Sequence, residues 1–318
     1  MPIRISSITP CFRMKKYLKK FLDELPKQTI FNELEIVLDH NEPDEEEISW
    51  VRDFQAKHPG HLKHIIITKV DPIGTSMNRC VKEASGEFVS IWNVDDLRTP
   101  NSFELQLQAL EKNPDADIVY GNYQTVSSFG ATKGLAISHE DIPESEFTRS
   151  MIFGPYVFFK KKLCQLAGYF DEQLKIGADM DLCIRLALHG KAVMTTGQLG
   201  YYLNEGLGAS TKPNSKQPIE RTIIELRYGI YDKIDYDYLP ATVRYDVRIP
   251  SILQFGQYHP VSEFVPDYDN FIHKREKEWF RKGLWRFVHS RSLPAKILRR
   301  IKKIIQKNEN NRPITNQE

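Results

Sequence analysis

Apolar positions along the chain come in two rhythms, and the two alternate. Short solid apolar runs predict strands. Residues 3–9 (IRISSIT) form one that stops at Pro10, because a central strand would not tolerate proline. Others are 34–38 (LEIVL) ending at Asp39, 65–68, 87–92 (EFVSIW) and a run opening at Asp117–Tyr120. Between them lie helical patterns. Residues 14–25 put Tyr17, Leu18, Phe21, Leu22 and Leu25 on one face, and 45–57 carry Ile48, Val51 and Phe54. Residues 76–84 end at Gly86, and 101–112 follow Pro100. Strands and helices alternating at this spacing predict an α/β fold with a doubly wound, mainly parallel sheet.

The rhythm loosens after residue 121. Residues 124–150 read as a long loop region. Residues 147–159 are apolar with Gly154-Pro155 inside, 160–167 read as helical, and 179–189 (DMDLCIRLALH) form an amphipathic helix. Seven of the 14 tyrosines fall between Tyr228 and Tyr268. They read as a small core or oligomer contact, with stacking on acceptor sugars as the functional alternative.

In a parallel sheet the ligand crevice lies outside the carboxyl ends of the strands. Three expected strand ends carry acids or amides here: Asp39, Asp71, and Asn93-Val94-Asp95-Asp96. Adjacent carboxylates with a nearby amide suit a hard divalent cation such as Mg²⁺ or Mn²⁺. A turn in which Asp caps the next helix explains the same letters equally well. Asp179 and Asp181 open the 179–189 helix, where capping alone would favour them. In a functional role, one of them would take a proton from an acceptor hydroxyl.

The ordered set of pieces supports a resemblance. It comprises Pro10-Cys11-Phe12-Arg13, Gln28-Thr29, LEIVLD, Asn78, KEASGEFVSIW, NVDD, Pro100, LQALEKNPDADIVYG, FFKKKLCQLAGYFDE and ADMDLCIRLALHGKA. From about residue 3 to about residue 210 the chain resembles the inverting glycosyltransferases of family two, which have the fold called GT-A, and among them the type that builds bacterial surface polysaccharide. The resemblance implies that Pro10, Phe12 and Asp39 hold the nucleobase, with Asn78 in the same nucleotide-binding group. It implies that Asn93, Asp95 and Asp96 hold ribose and metal, with Asp95 the residue most directly linked to Mn²⁺ or Mg²⁺. Asp179 matches the catalytic base, and Asp181 and Arg185 match positions that shape the site. The implied partners are a nucleoside-diphosphate sugar, with a lean towards UDP, and a glycan or lipid-linked glycan acceptor. The chain departs from the family pattern at Asn93, where Asp is usual, and at Ala178, where Glu is frequent. Met77 replaces a common Arg, and residues 200–210 lack the late His of many GT-A enzymes. A degenerate site that binds sugar nucleotide without catalysis is the alternative these departures raise.

Charge adds a second theme. The net charge is +2, yet residues 274–307 hold 13 Lys or Arg against 2 Glu, while residues 1–273 hold 30 against 38 acids. An acidic body argues against a nucleic-acid-binding core. In residues 284–307, Trp285, Phe287, Ile297, Leu298, Ile301, Ile304 and Ile305 stand against a Lys/Arg face, as on a helix lying in an anionic membrane surface, with a helix docked on the acidic body as the alternative. The expected organisation is a catalytic domain over 1–210, a Tyr-rich extension over 211–273, basic amphipathic helices over 274–307 and a disordered tail over 308–318.

Cys11, Cys80, Cys164 and Cys183 form no CxxC pair, and no apolar stretch of signal length opens the chain. Reduced thiols, a cytoplasmic location and peripheral attachment to the inner face of the cell membrane are the expectations. His58, His61 and His64 read as a solvated loop rather than a zinc site, because Pro59-Gly60 breaks their alignment. Neither GxGxxG after the first strand nor GxxxxGK[ST] is present, which excludes a nicotinamide-dependent oxidoreductase and a P-loop NTPase.

Overall fold

The computed structural model describes residues 2–140 and 142–280. The basic stretch 284–307 and the tail 308–318, on which the membrane and disorder expectations rest, lie outside the described residues.

The amino-terminal half alternates as the sequence pattern predicts. Its order is β1 (Ile5–Phe12), α1 (Lys15–Glu24), β2 (Leu34–Asn41), α2 (Glu45–Lys57), β3 (Leu62–Ile67), α3 (Ile73–Glu83), β4 (Phe88–Ile91), β5 (Leu97–Arg98), α4 (Ser102–Lys112) and β6 (Ile118–Val126). The remainder comprises β7 (Leu135–Ile137), β8 (Phe158–Lys160), α5 (Leu163–Ala167), α6 (Ala178–His189) and β9 (Ala192–Leu203). It continues with α7 (Gln217–Arg227), α8 (Leu239–Thr242), β10 (Ser251–Gln254), β11 (Gln257–Pro260) and α9 (Tyr268–Trp279).

The main sheet runs β3-β2-β1-β4-β8-β6-β9-β5, with β7 beside β6. β3, β2, β1 and β4 are mutually parallel, and β6 is parallel to β9. β8 is antiparallel to both its neighbours. Every residue of β2 is buried, as expected of a strand covered on both faces. Alternate side chains feed two cores: Ile36 and Leu38 pack with α1, α2 and α4, while Val37 packs with α3, α5 and α6. Of the two acids in β2, Glu35 is compensated by Ser6 Oγ at 2.6 Å, the Ser85 amide at 2.6 Å and Lys63 at 3.2 Å, while Asp39 lies towards the carboxyl end.

The structure corrects several expectations. β1 runs through Pro10 to Phe12, because β4 pairs only as far as Ile8 and the proline sits where that neighbour has ended. β2 likewise continues past Asp39 to Asn41. Residues 124–150 are not all loop, since β6 reaches Val126 and β7 follows. β9 was not expected. Gly197 and Gly200 interrupt its alternation, and its pairing with β6 shifts register twice.

Residues 211–273 are not a separate unit. Ile224, Tyr228, Ile230, Ile252, Val261 and Val265 belong to the same core as α3, α5 and α6. His61 and His64 are packed rather than solvated. The His61 ring stacks on Phe31 at 4.4 Å, and His64 Nε2 lies 3.2 Å from His40 Nδ1. All four cysteines are free and buried. Among the described residues, no helix is long and apolar enough to cross a membrane.

Candidate active site

At the carboxyl ends of β1 and β2 the register puts Pro10 opposite Asp39 and Phe12 opposite Asn41. Asp39 is wholly buried and receives Arg79 Nε at 2.5 Å and Asn41 Nδ2 at 2.7 Å. Arg79 also reaches Asp71 at 2.9 Å, and both carboxylates hold its guanidinium charged. Asp71 in turn donates its amide to Asn41 Oδ1 at 3.0 Å. Two strand ends and α3 therefore build one half-open polar rim. Phe12 is half-buried, and the Arg13 guanidinium lies over its ring at 4.8 Å.

Asn78 does not join that rim. Its Nδ2 donates to the Phe170 carbonyl at 3.0 Å and Glu172 Oε1 at 2.9 Å, while its Oδ1 accepts the Phe170 amide at 2.8 Å. Every polar atom of the side chain is engaged by the protein itself. Asn78, to which the resemblance gives a nucleotide-binding role, here ties α3 to the segment ahead of α6.

Asn93, Asp95 and Asp96 lie in the turn after β4. Asp96 is buried and tied down, accepting the Leu203 amide at 2.9 Å and Asn93 Nδ2 at 3.2 Å. It fixes the turn against the end of β9. Asp95 is half-buried, and among the described residues no side chain or other backbone amide donates to its carboxylate. Both carboxyls rise above the ordinary carboxylate range, chiefly through burial and, for Asp96, also through the charge of Asp95. A divalent cation would relieve that desolvated negative charge, and the Asp95 carboxylate with the Asn93 amide oxygen is a hard-oxygen donor set that fits one. Among the described residues no group of three or more His, Cys, Asp or Glu could hold a metal ion alone. Further ligands would come from a substrate's phosphate oxygens or from water.

Asp179 lies in the first turn of α6. Burial pushes its carboxyl up to about 6, and the charge of Glu220 adds to this against the opposing Met180 amide. Glu220, from α7, was not foreseen. It is wholly buried and accepts the amides of Lys175, Ile176 and Gly177 at 2.9, 2.8 and 2.8 Å, together with the Tyr245 hydroxyl at 2.5 Å. One carboxylate thus satisfies three consecutive donors just ahead of the Asp179 turn.

Asp181 and Arg185 act further back. Arg185 bonds Asp181 at 2.7 Å and the carbonyls of Gly168 and Tyr169 at 2.9 and 2.8 Å. Arg227 completes the group, bonding Asp181 and Asp171 at 2.7 Å each, and the Tyr228 hydroxyl donates to Asp181 at 2.8 Å. The four charges balance inside the core. Burial raises the Asp181 carboxyl, but the two guanidinium groups outweigh it and hold it below its usual value.

Two side chains, the buried Cys11 and the half-buried Tyr202, report on these acids. The Cys11 thiol is pushed up by burial and then by Glu47, Asp95 and Asp39. The Tyr202 hydroxyl is raised by burial and then by Asp96, Asp95 and Asp179, while Ser210 opposes at 3.4 Å. Asp39 and Asp95 are thus both within electrostatic reach of Cys11, and Asp95 and Asp179 of Tyr202. Tyr202 was not foreseen because it sits on β9, the strand whose pattern was not legible.

Residues 6–165, half of the chain, match the family model described as Glycosyl transferase family 2. An uncharacterized glycosyltransferase from Methanocaldococcus jannaschii is 28% identical over 180 residues, covering 54% of this chain and 60% of that protein. Chondroitin synthase from Escherichia coli is 21% identical over 183 residues, covering 58% of this chain and 26% of that one. The matched part of the chain thus spans less than two thirds of these curated relatives. S. aureus TarS residues 1–349 in complex with UDP-GlcNAc share the fold with a TM-score of 0.55 at 15% identity, over 92% of this chain and 78% of that one. The mannosyltransferase PcManGT from Pyrobaculum calidifontis, in complex with GDP-Man and Mn²⁺, gives 0.51 at 17% identity, over 96% and 81%. The likeness to these structures identifies the α/β arrangement as the GT-A fold. With the family model aligned from the first strand to α5, the chain belongs to glycosyl transferase family 2.

Proposed function

We propose that the protein transfers a sugar from a nucleoside-diphosphate sugar to a hydroxyl of a glycan or lipid-linked glycan, inverting the anomeric centre in a single displacement. The observation that carries this reading is the placement of Asp39 at the carboxyl end of β2 and of the Asn93–Asp96 turn after the carboxyl end of β4, two strands that flank β1 in parallel register. The charges of Asp95, Asp96 and Asp179 each raise the Tyr202 hydroxyl, which supports a single cleft for them. The complexes of TarS with UDP-GlcNAc and of PcManGT with GDP-Man and Mn²⁺ support a nucleoside-diphosphate donor.

In this reading Asp39, Arg79 and Asp71, with Pro10 and Phe12, form the rim that receives the base. Asn93 and Asp95 face the ribose and diphosphate, and Asp96 keeps their turn in register with β9. A divalent cation held by Asp95 and Asn93 would supply positive charge against the departing diphosphate. Asp179 accepts the proton of the acceptor hydroxyl as that oxygen bonds the anomeric carbon and the bond to the diphosphate oxygen breaks. A carboxyl held near 6 is ionised at neutral pH yet basic enough to take that proton. Asp181, Arg185 and Arg227 hold the helix that carries it. The basic stretch 284–307 would keep the enzyme at an anionic membrane surface, close to a lipid-linked acceptor.

The test is transfer and donor hydrolysis measured with UDP- and GDP-sugars, with and without Mn²⁺, for the parent and Asp179→Asn. Donor turnover that is absent in the parent, or equal in the variant, would overturn the reading.

A further inference from the structure

The hairpin of β10 and β11 turns through two residues, Phe255 and Gly256, between the paired Gln254 and Gln257. Both turn residues have positive φ, +49° and +75°. Such a turn favours Asn-Gly or Asp-Gly, because an aromatic side chain is strained in the left-handed region. Phe255 therefore costs backbone energy here. It returns little to the core, since it is 48% exposed. The tip is nonetheless held firmly. Its two amides donate to Glu172 at 2.7 and 3.2 Å, and Glu172 is itself fixed by Asn78 at 2.9 Å.

The ring is not isolated. It meets Tyr169 edge-on at 4.9 Å, and Tyr169 lines a cavity of about 660 Å³ at the amino ends of β1 and β4. Arg4, Lys160, Lys161 and Lys162 line the same cavity, and Glu87 is the one acid among its lining residues. Arg4 and Lys160 have acidic partners, Glu33 with Glu111 and Asp117 respectively. Lys161 donates to the Ala84 carbonyl at 2.5 Å, and Lys162 is exposed with no bonding partner among the described residues. Leu166, on the helix that follows Lys162, is 55% exposed.

We propose that this face docks on an anionic lipid surface, with Phe255 and Leu166 entering the interface and Lys161 and Lys162 meeting phosphate headgroups. Exposed aromatic and aliphatic side chains ringed by cations are the chemistry of interfacial attachment. The basic segment 284–307 carries the same sign of charge as this cavity, so it is not the missing occupant. The proposal does not depend on the glycosyltransferase reading, because its test reads binding alone.

The test is co-sedimentation of the full-length chain with vesicles of phosphatidylcholine containing phosphatidylglycerol, and with pure phosphatidylcholine. Phe255→Asn and Lys162→Glu are each expected to raise the lipid concentration for half-binding about tenfold on the mixed vesicles. Pure phosphatidylcholine is expected to bind weakly throughout. Asn suits the left-handed turn, so Phe255→Asn is also expected to melt at the parental temperature or above. Unchanged binding in both variants would overturn the proposal, as would a lowered melting temperature in Phe255→Asn. Retained vesicle binding alongside a lost interaction with polyglutamate would replace the lipid by an acidic protein partner.

Discussion

Arg227 Nη1 lies 2.7 Å from Asp181 Oδ1, and neither side chain is reached by solvent. This contact joins α7 to α6, the helix that carries Asp179, and both lie beyond the residues matched by the family model. A buried charge must be paired to be tolerated, so the two helices depend on one another.

Arg227→Met leaves Asp171 and Asp181 short of a partner. It is expected to cost roughly 3–5 kcal/mol, read by chemical denaturation. A chain ended before α7 should expose the same acids and fail to unfold cooperatively.

Asp179→Asn separates catalysis from stability. Transfer is expected to fall roughly 100- to 10,000-fold, measured as kcat with saturating donor. The Asp179 carboxyl stands at about 6 against an ordinary 3.8, so the folded state holds this proton more tightly than the unfolded state does. Its ionisation therefore costs stability progressively as pH rises from the lower value through the higher. By linkage the full cost above 6 is about 3 kcal/mol. The Asn variant should melt above the parent at pH 8 and lose that advantage at pH 4. Parental activity should decline as pH falls through about 6.

Asp95→Asn and Asp96→Asn should behave differently although the residues are adjacent. Asp95 is free of other residues' donors, so its replacement should leave the melting temperature in place and weaken Mn²⁺-dependent binding of the nucleoside diphosphate, read by calorimetry. Asp96 ties the turn to Leu203, so its replacement should lower the melting temperature as well.

Glu220→Gln removes one of two acceptor oxygens from the amides of Lys175, Ile176 and Gly177. A loss of about 1–3 kcal/mol is expected. The Asp179 turn should loosen with it, which would appear as a raised KM for the acceptor with a smaller change in KM for the donor.

The legible part of the fold was the part governed by local pattern. Solid apolar runs marked β2 and β4, and helical spacing marked α1 and α6, because side chains of one element face one core. The acids in the turn after β4 stood out because strand ends open on crevices. What stayed hidden depends on distant pairs. Arg227 and Asp181 are 46 positions apart, and no spacing rule links them. The available hint was the pair of charged residues, Glu225 and Arg227, inside the apolar run 223–230, IIELRYGI. Asn78 is the opposite case. Its position in the family order was visible, but its side-chain partners, Phe170 and Glu172, lie more than 90 residues away.

The segment between β9 and α7 is clamped at both ends. Leu203 is held by Asp96 on one side, and Glu220 grips the turn before α6 on the other. Length and composition between these anchors can therefore drift without dislodging the acids. Evolution, or a designer grafting foreign loops over 204–216, has here a place to vary the sequence while both acidic turns stay held.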